Sequence, residues 1–191
     1  YGNRNMIDHT GDAVWVDDGA PAGATQSAGY PGPTVSLRSW HGYYMRANNG
    51  GASEVYADAA VIGAHEQFTL VDLNAGALES GDQIQFLAAD RIHYVGAMDG
   101  GAPAPGGRVN AVAPWGYTWE TFTIRRKDGA SGPIGNGDQI SLQSYRGYNV
   151  AAEIGSGEMN ANRPFVQDWE TFTLVMNGST SIDESWTWVG G

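Results

Sequence analysis

Residues 118–124 read Thr-Trp-Glu-Thr-Phe-Thr-Ile, and residues 168–174 read Asp-Trp-Glu-Thr-Phe-Thr-Leu. Two readings of this phrase compete. Taken alone, Glu120 and Glu170 look like a carboxylate pair beside tryptophans, the makings of an acid and a base. Taken as a repeat, they mark one position of a recurring strand. A third copy tips the balance: Glu66-Gln-Phe68-Thr-Leu70 keeps the Glu-x-Phe-Thr-aliphatic pattern without the tryptophan. The three phenylalanines stand about 50 residues apart, the spacing of a repeat architecture.

Each copy is preceded by three further segments that also match. Units open with Val35-Ser-Leu37, Ile84-Gln-Phe86 and Ile140-Ser-Leu142. Second come Tyr44-Met45-Arg-Ala47, Tyr94-Val95-Gly-Ala97 and Asn149-Val150-Ala-Ala152, and third Val55-Tyr-Ala57, Val109-Asn-Ala111 and Met159-Asn-Ala161. Alternation of period two in all four segments marks half-buried strands. Asn-Gly and Asp-Gly steps at 49–50, 99–100 and 136–137 supply turns.

Three four-strand units cannot each bury an apolar face alone, so they pack around a common axis. The expected fold is all-β: a β-trefoil, in which a six-stranded barrel is capped by three hairpins and no strand edge is left exposed. Its expected core is threefold: Leu37, Phe86 and Leu142; Met45, Val95 and Val150; Val55, Val109 and Met159; Phe68, Phe122 and Phe172. The units span about 34–80, 81–136 and 137–176, with an N-terminal extension over 1–33 and a C-terminal one over 177–191. Ala13-Val-Trp15-Val and Trp186-Thr-Trp188-Val each read as one short strand. Residues 13–17 and 185–189 are expected to pair with each other beside the barrel.

The 191 residues suit one domain with appendages, long enough to bury a core without staples. Twenty-eight glycines and eight prolines fall between short apolar runs, as brief strands joined by turns require. No window holds the ~18 consecutive apolar residues of a membrane span. The start at Tyr1, without a Met or a signal-like stretch, reads as a mature product or a module cut from a longer chain. Cysteine is absent, which excludes a disulfide framework, a thiolate nucleophile and a cysteine metal site. Twenty-one acids against ten bases leave a net charge of −11, and Lys127 is the one lysine. Nucleic acid and anionic membranes are repelled by such a chain. Neutral polysaccharide is indifferent to it.

Ser39-Trp40-His41-Gly42-Tyr43-Tyr44, and Met159-Asn-Ala-Asn162-Arg163 leading to Trp169-Glu-Thr-Phe172, resemble the fascin-like repeats of bacterial proteins. The resemblance covers roughly residues 34–176. It implies a trefoil and an accessory carbohydrate-binding role in a secreted glycoside hydrolase. The flanks Val14-Trp-Val-Asp-Asp18 and Glu184-Ser-Trp186-Thr-Trp188 are similar to linking segments of multidomain exported proteins. Ricin-type trefoils carry Gln-x-Trp in each unit. Here only Gln167-Asp-Trp169 fits, which reads as coincidence. Actin bundling by eukaryotic fascin is not carried over, because an acidic trefoil with one lysine repels acidic actin.

Chemistry needs asymmetry. An acid and a base must sit in different surroundings, whereas Glu66, Glu120 and Glu170 are related by the repeat. They read as carboxylates that hold the turn before the fourth strand. His9, His41, His65 and His93 lack short metal-ligand spacing, and no Gly-x-Ser-x-Gly elbow occurs. The acidic turns at Asp17-Asp18 and at the two Gly-Asp-Gln steps lack the alternating oxygens of a calcium loop and read as solvated turns. No catalytic residue, cofactor or metal is expected.

Seven tryptophans and nine tyrosines exceed what the expected core requires. Aromatic platforms with a few placed polar groups are the recipe for a sugar site. The candidate residues are Trp40, His41, Tyr43, Tyr56, Asp58, Trp115, Tyr117, Tyr145, Arg146, Tyr148 and Asn162, with Arg46 and Asp90 as further polar groups. The alternative for each ring is to cap the barrel or pack on the tails. Units one and three are expected to bind most strongly. Unit two has Ala88-Ala89-Asp90-Arg91 where the platform should be, with Trp115 and Tyr117 as replacements. The expected function is a non-catalytic carbohydrate-binding module, secreted and monomeric, whose partners are a polysaccharide and other modules of its own chain. A structural or protein-interaction spacer is the alternative.

Overall fold

A computed structural model of the protein describes residues 31–74 and 76–177 together with strands β1 (Asn5–Asp8) and β2 (Ala13–Val16). Unit one supplies β3 (Pro31–Ser39), β4 (Tyr44–Ala47), β5 (Ser53–Ala59) and β6 (Phe68–Asp72). Unit two supplies β7 (Gln83–Leu87), β8 (Tyr94–Ala97), β9 (Val109–Ala113) and β10 (Phe122–Arg126). Unit three supplies β11 (Gln139–Gln143), β12 (Asn149–Ala152), β13 (Met159–Arg163) and β14 (Phe172–Asn177).

First and fourth strands close a ring of antiparallel pairs, β3–β6–β7–β10–β11–β14 and back to β3. Second and third strands pair as hairpins, β4–β5, β8–β9 and β12–β13. The hairpins also meet one another, β5 with β9 along Ser53–Ala111 and the others through the Tyr56–Glu158 and Arg108–Asn160 bridges. This is a β-trefoil. All twelve expected core residues are at most 2% exposed. The alternation extends the core by further triplets: Val35, Ile84 and Ile140; Leu70, Ile124 and Leu174; and matching alanines in the hairpins.

Two features were not foreseen. First, Ala13–Val16 pairs antiparallel with Asn5–Asp8. Its expected partner, 185–189, lies outside the described residues. Second, the opening strand of each unit is buried on both faces, not one: Ser36, Gln85 and Ser141 are buried between their apolar neighbours. The loop before the fourth strand covers that outer face. Ser36 Oγ donates to the Glu66 carbonyl (2.7 Å), and Gln85 Nε2 donates to Thr121 Oγ1 (3.1 Å). Ser36 and Gln85 are thus buried with their polar groups partnered, as burial requires.

Candidate functional site at the seams between units

The loops 60–66, 114–120 and 164–170 superpose by sequence position, and one device holds all three. The glutamate that ends each loop is buried and accepts a backbone N–H three residues back: Gly63 (2.7 Å) to Glu66, Tyr117 (3.0 Å) to Glu120, Gln167 (2.7 Å) to Glu170. The next side chain donates to the carbonyl of that same residue: Gln67 to Gly63, Thr121 to Tyr117, Thr171 to Gln167. Each loop is therefore clamped through both the N–H and the C=O of one residue. The Glu-Thr of the repeated phrase is this clamp.

Its tryptophan has another place. The residue before each glutamate is His65, Trp119 or Trp169, and it points to the turn between first and second strands of the following unit. At the seam of units three and one, the Trp169 ring meets His41 edge-on with centroids 5.8 Å apart. The Trp40 N–H donates to the Thr171 carbonyl (3.2 Å). At the seam of units two and three, a Cβ on Gly100 would lie 3.2 Å from Trp119 and 3.4 Å from Arg146, so both side chains pack on this glycine. At the seam of units one and two, His65 and Ala89 take the corresponding places around Gly50.

The seam of units three and one is the richest. Trp40 is 51% exposed, Trp169 37% and Phe165 75%. Phe165 and Trp169 line a depression of about 680 Å³ with Arg163, Gln167, Asp168 and Glu170, within the ~300–1,000 Å³ range of small-molecule sites. Lys127 Nζ stands 4.8 Å from the centre of the Trp40 ring and 3.2 Å from Asp168 Oδ1. Trp169 and Phe165 thus line a depression whose charged groups are Arg163, Asp168 and Glu170, and Trp40 stands beside it across the Lys127–Asp168 pair. Chemically, such groups hydrogen-bond hydroxyls while the rings take up an apolar face.

The candidate residues fall into separate places. Trp40, His41 and Tyr43 lie on the unit-one turn, Tyr145, Arg146 and Tyr148 on its unit-three counterpart. Tyr43 is exposed and Tyr145 53% exposed, with Tyr148 half-buried. Tyr56 and Asp58 belong to the hairpin cap. Arg46 and Arg108 stand over the Tyr56 ring at 5.5 and 5.1 Å, and Arg46 holds Asp58 through two hydrogen bonds. The hydrogen bonds that Arg46 donates to the Asp58 carboxylate hold its guanidinium pKa above the ordinary value. This ring is spent on two guanidiniums. Asn162 is buried and hydrogen-bonded to Arg163, so it contributes to the β13 end and not to the surface. Trp115 and Tyr117, both half-buried, sit in the loop before the last strand of unit two, which lies over β7 through the contacts of Gln85 with Gly116 and Thr121. On the first turn of unit two, Asp90 turns onto its own loop, with Oδ1 accepting the Ile92 and His93 N–H groups and Oδ2 facing His93 Nδ1.

Sequence reasoning left out Trp119, Trp169, Phe165, Asp168 and Lys127. The available signal was the tryptophan inside the repeated phrase. It is absent from unit one, so the clamp does not need it.

Asp82 and Asp138 of the Gly-Asp-Gln steps accept backbone N–H groups from Glu79 and Gly135 (2.7 and 2.8 Å). They hold turns in the same manner as the glutamates.

No protein-family model matches the chain, and no curated protein does. Solved structures do. The chain is similar to the SDF2-like protein from Arabidopsis thaliana, with a TM-score of 0.59 and 10% identity over 78% of this chain and 95% of that one. It is similar to the designed threefold-symmetric protein ThreeFoil, at 0.58 and 16% over 75% and 99%. A Caenorhabditis elegans protein of unknown function gives 0.62 and 12% over 81% and 99%. At these identities the likeness establishes the shared fold alone. The fascin-like resemblance rests on the quoted residues.

Proposed function

We propose that this chain is a non-catalytic carbohydrate-binding module, and that its principal site is the seam of units three and one. The observation that carries the proposal is the pair of exposed rings Trp169 and Phe165 lining one polar-edged depression of unit three, with the exposed Trp40 of unit one set beside it across the Lys127–Asp168 pair. Exposing three large aromatic side chains together works against burial and calls for a ligand. A pyranose ring supplies the matching chemistry, with C–H faces for the rings and hydroxyls for Asp168, Gln167 and Lys127. A net charge of −11 favours a neutral polysaccharide over a polyanion. The fold lends no weight of its own, because trefoils of this similarity share architecture and not function. In line with the fascin-like resemblance, we place the module in a secreted bacterial glycoside hydrolase, where it acts as a monomer that holds the enzyme near its polymer.

Affinity electrophoresis through gels containing neutral β-glucan, xylan, mannan or galactan tests the reading. At least one polymer should retard the domain, and the Trp40→Ala/Trp169→Ala double variant should migrate as if the polymer were absent. Unretarded wild type in every gel, or an equally retarded double variant that is still folded, overturns it.

A further inference from the structure

Given carbohydrate binding at the seam of units three and one, we infer that the domain cross-bridges two polysaccharide chains through a second site at the seam of units two and three. The repeat itself provides the controlled comparison, since the three seams share a backbone and differ in side chains. Trp119 is 40% exposed and occupies the position of Trp169; Tyr145 and Arg146 occupy those of Trp40 and His41. Trp119 and Arg146 pack on the same glycine, and the Arg146 N–H donates to the Gly100 carbonyl (2.9 Å). Both walls of this seam therefore carry an aromatic ring, and Arg146 supplies the polar group. The third seam has neither a tryptophan nor a tyrosine at these places: His65 and Ala89 lie against Gly50, and Asp90 is occupied by its own turn. That seam is silent.

The position of the two sites decides what they do together. Trp40 follows β3 and Tyr145 follows β11, and these strands are separated in the barrel ring by β14 alone. Two strands out of six is a third of the circumference, so the two patches face outward a third of a turn apart. On a domain of this size they lie roughly 30 Å from each other across a curved surface. An extended saccharide segment seated on one patch runs tangentially away from the other. Two chains, or two distant stretches of one chain, satisfy both sites, and the domain then acts as a cross-link whose avidity exceeds either site by ~10²-fold or more.

The polysaccharide that retards the domain, and a hexasaccharide cut from it, are the probes. Calorimetry with the hexasaccharide should give two sites per wild-type chain and one in Trp169→Ala or Tyr145→Ala, the remaining site keeping its affinity within about twofold. His65→Ala should leave two. Wild type should raise the low-shear viscosity of the long polymer, and either single variant should not. Tyr145 is exposed enough that its variant folds even where Trp119→Ala does not. One site in wild type with retention intact overturns the bridging and leaves the binding reading standing; no retention by any polymer removes both. Bridging that survives in the single variants, with dimers seen by sedimentation of the free domain, assigns the effect to self-association and also overturns the proposal.

Discussion

His41 and Trp169 stand edge-on at 5.8 Å although 128 positions and a unit boundary separate them. The contact joins a first-strand turn to the loop before the last strand of the preceding unit around the ring. It makes the seam, and not the single repeat, the smallest complete piece of surface. An edge-on aromatic pair contributes about 0.5–1.5 kcal/mol beyond its buried area. Trp169→Ala should therefore cost about 1 kcal/mol, read from the urea midpoint, while retention by polysaccharide collapses. A variant that loses several kcal/mol would place Trp169 in the core instead of on a ligand surface.

The phenylalanine three positions later behaves in the opposite way. Phe68, Phe122 and Phe172 are fully buried, and the Phe68–Phe86 and Phe86–Phe122 centroids lie 6.3 and 6.4 Å apart. Truncating a buried phenylalanine costs about 3–5 kcal/mol, through lost transfer energy and the cavity left behind. Phe172→Ala should lose that amount in chemical denaturation. If the loss is below 1 kcal/mol, the barrel interior is not packed as described.

Glu170 lies between these two extremes. Its carboxylate is buried and takes the Gln167 N–H at 2.7 Å, with Arg163 Nε 3.7 Å from the other oxygen. Leaving that N–H without an acceptor costs about 1–3 kcal/mol. Glu170→Ala should show this loss, and Glu170→Gln should recover part of it because the amide oxygen still accepts. Glu66→Ala and Glu120→Ala should give losses of similar size, since the same clamp recurs. Sharply unequal losses in the three, measured in one denaturant series, would contradict a shared structural role.

The fold was legible in the sequence because it is written three times. Core positions repeat with a fixed order, and alternation separates Leu37, Phe86 and Leu142 from their neighbours without any tertiary information. The site was legible only in part. Trp40 and Tyr145 stand out in a turn, but nothing in sequence spacing places Trp169 beside His41, since that adjacency depends on which unit follows which around the barrel. Trp119 and Trp169 were hidden by belonging to a repeated phrase, where recurrence looks like architecture. Tyr56 and Asn162 were drawn in by residue type, and only the guanidiniums of Arg46 and Arg108 and the burial of Asn162 show how they are used.

Asp90 gives the seam of units one and two an acid-sensitive element. Burial pushes its carboxyl pKa up, but the hydrogen bonds from the His93 N–H and ring and from the Ile92 N–H outweigh it, and the net direction is down. A carboxyl depressed by folding contributes stability that is complete above its unfolded value of about 3.9 and is lost as pH falls through the lower folded value. Asp90→Asn should be less stable than wild type by about 1–2 kcal/mol at neutral pH. The gap should narrow as pH falls from about 4 toward 2. A gap independent of pH, in urea melts taken across that window, would mean that the carboxylate charge plays no part.

Arg91 occupies the turn position that Gly42 and Gly147 hold in the other units. All three donate their N–H to the residue three back at 2.9 Å, and all have positive φ: 57° at Arg91 against 89° and 86° at the glycines. A side chain in this region costs about 1–2 kcal/mol, whereas glycine returns ~0.4–1 kcal/mol of that through greater freedom of the unfolded chain. Unit two also carries one extra residue here: the Ala88 N–H reaches the His93 carbonyl, five positions on, where Ser39 and Ser144 reach four to Tyr43 and Tyr148. The insertion places Arg91 in the left-handed region without removing the strain. Arg91→Gly should therefore raise stability by about 0.5 kcal/mol, and Arg91→Ala, which keeps the Cβ and the positive φ, should give no gain. Equal stabilisation by both substitutions would show that the arginine side chain, and not the backbone conformation, is the source of the cost.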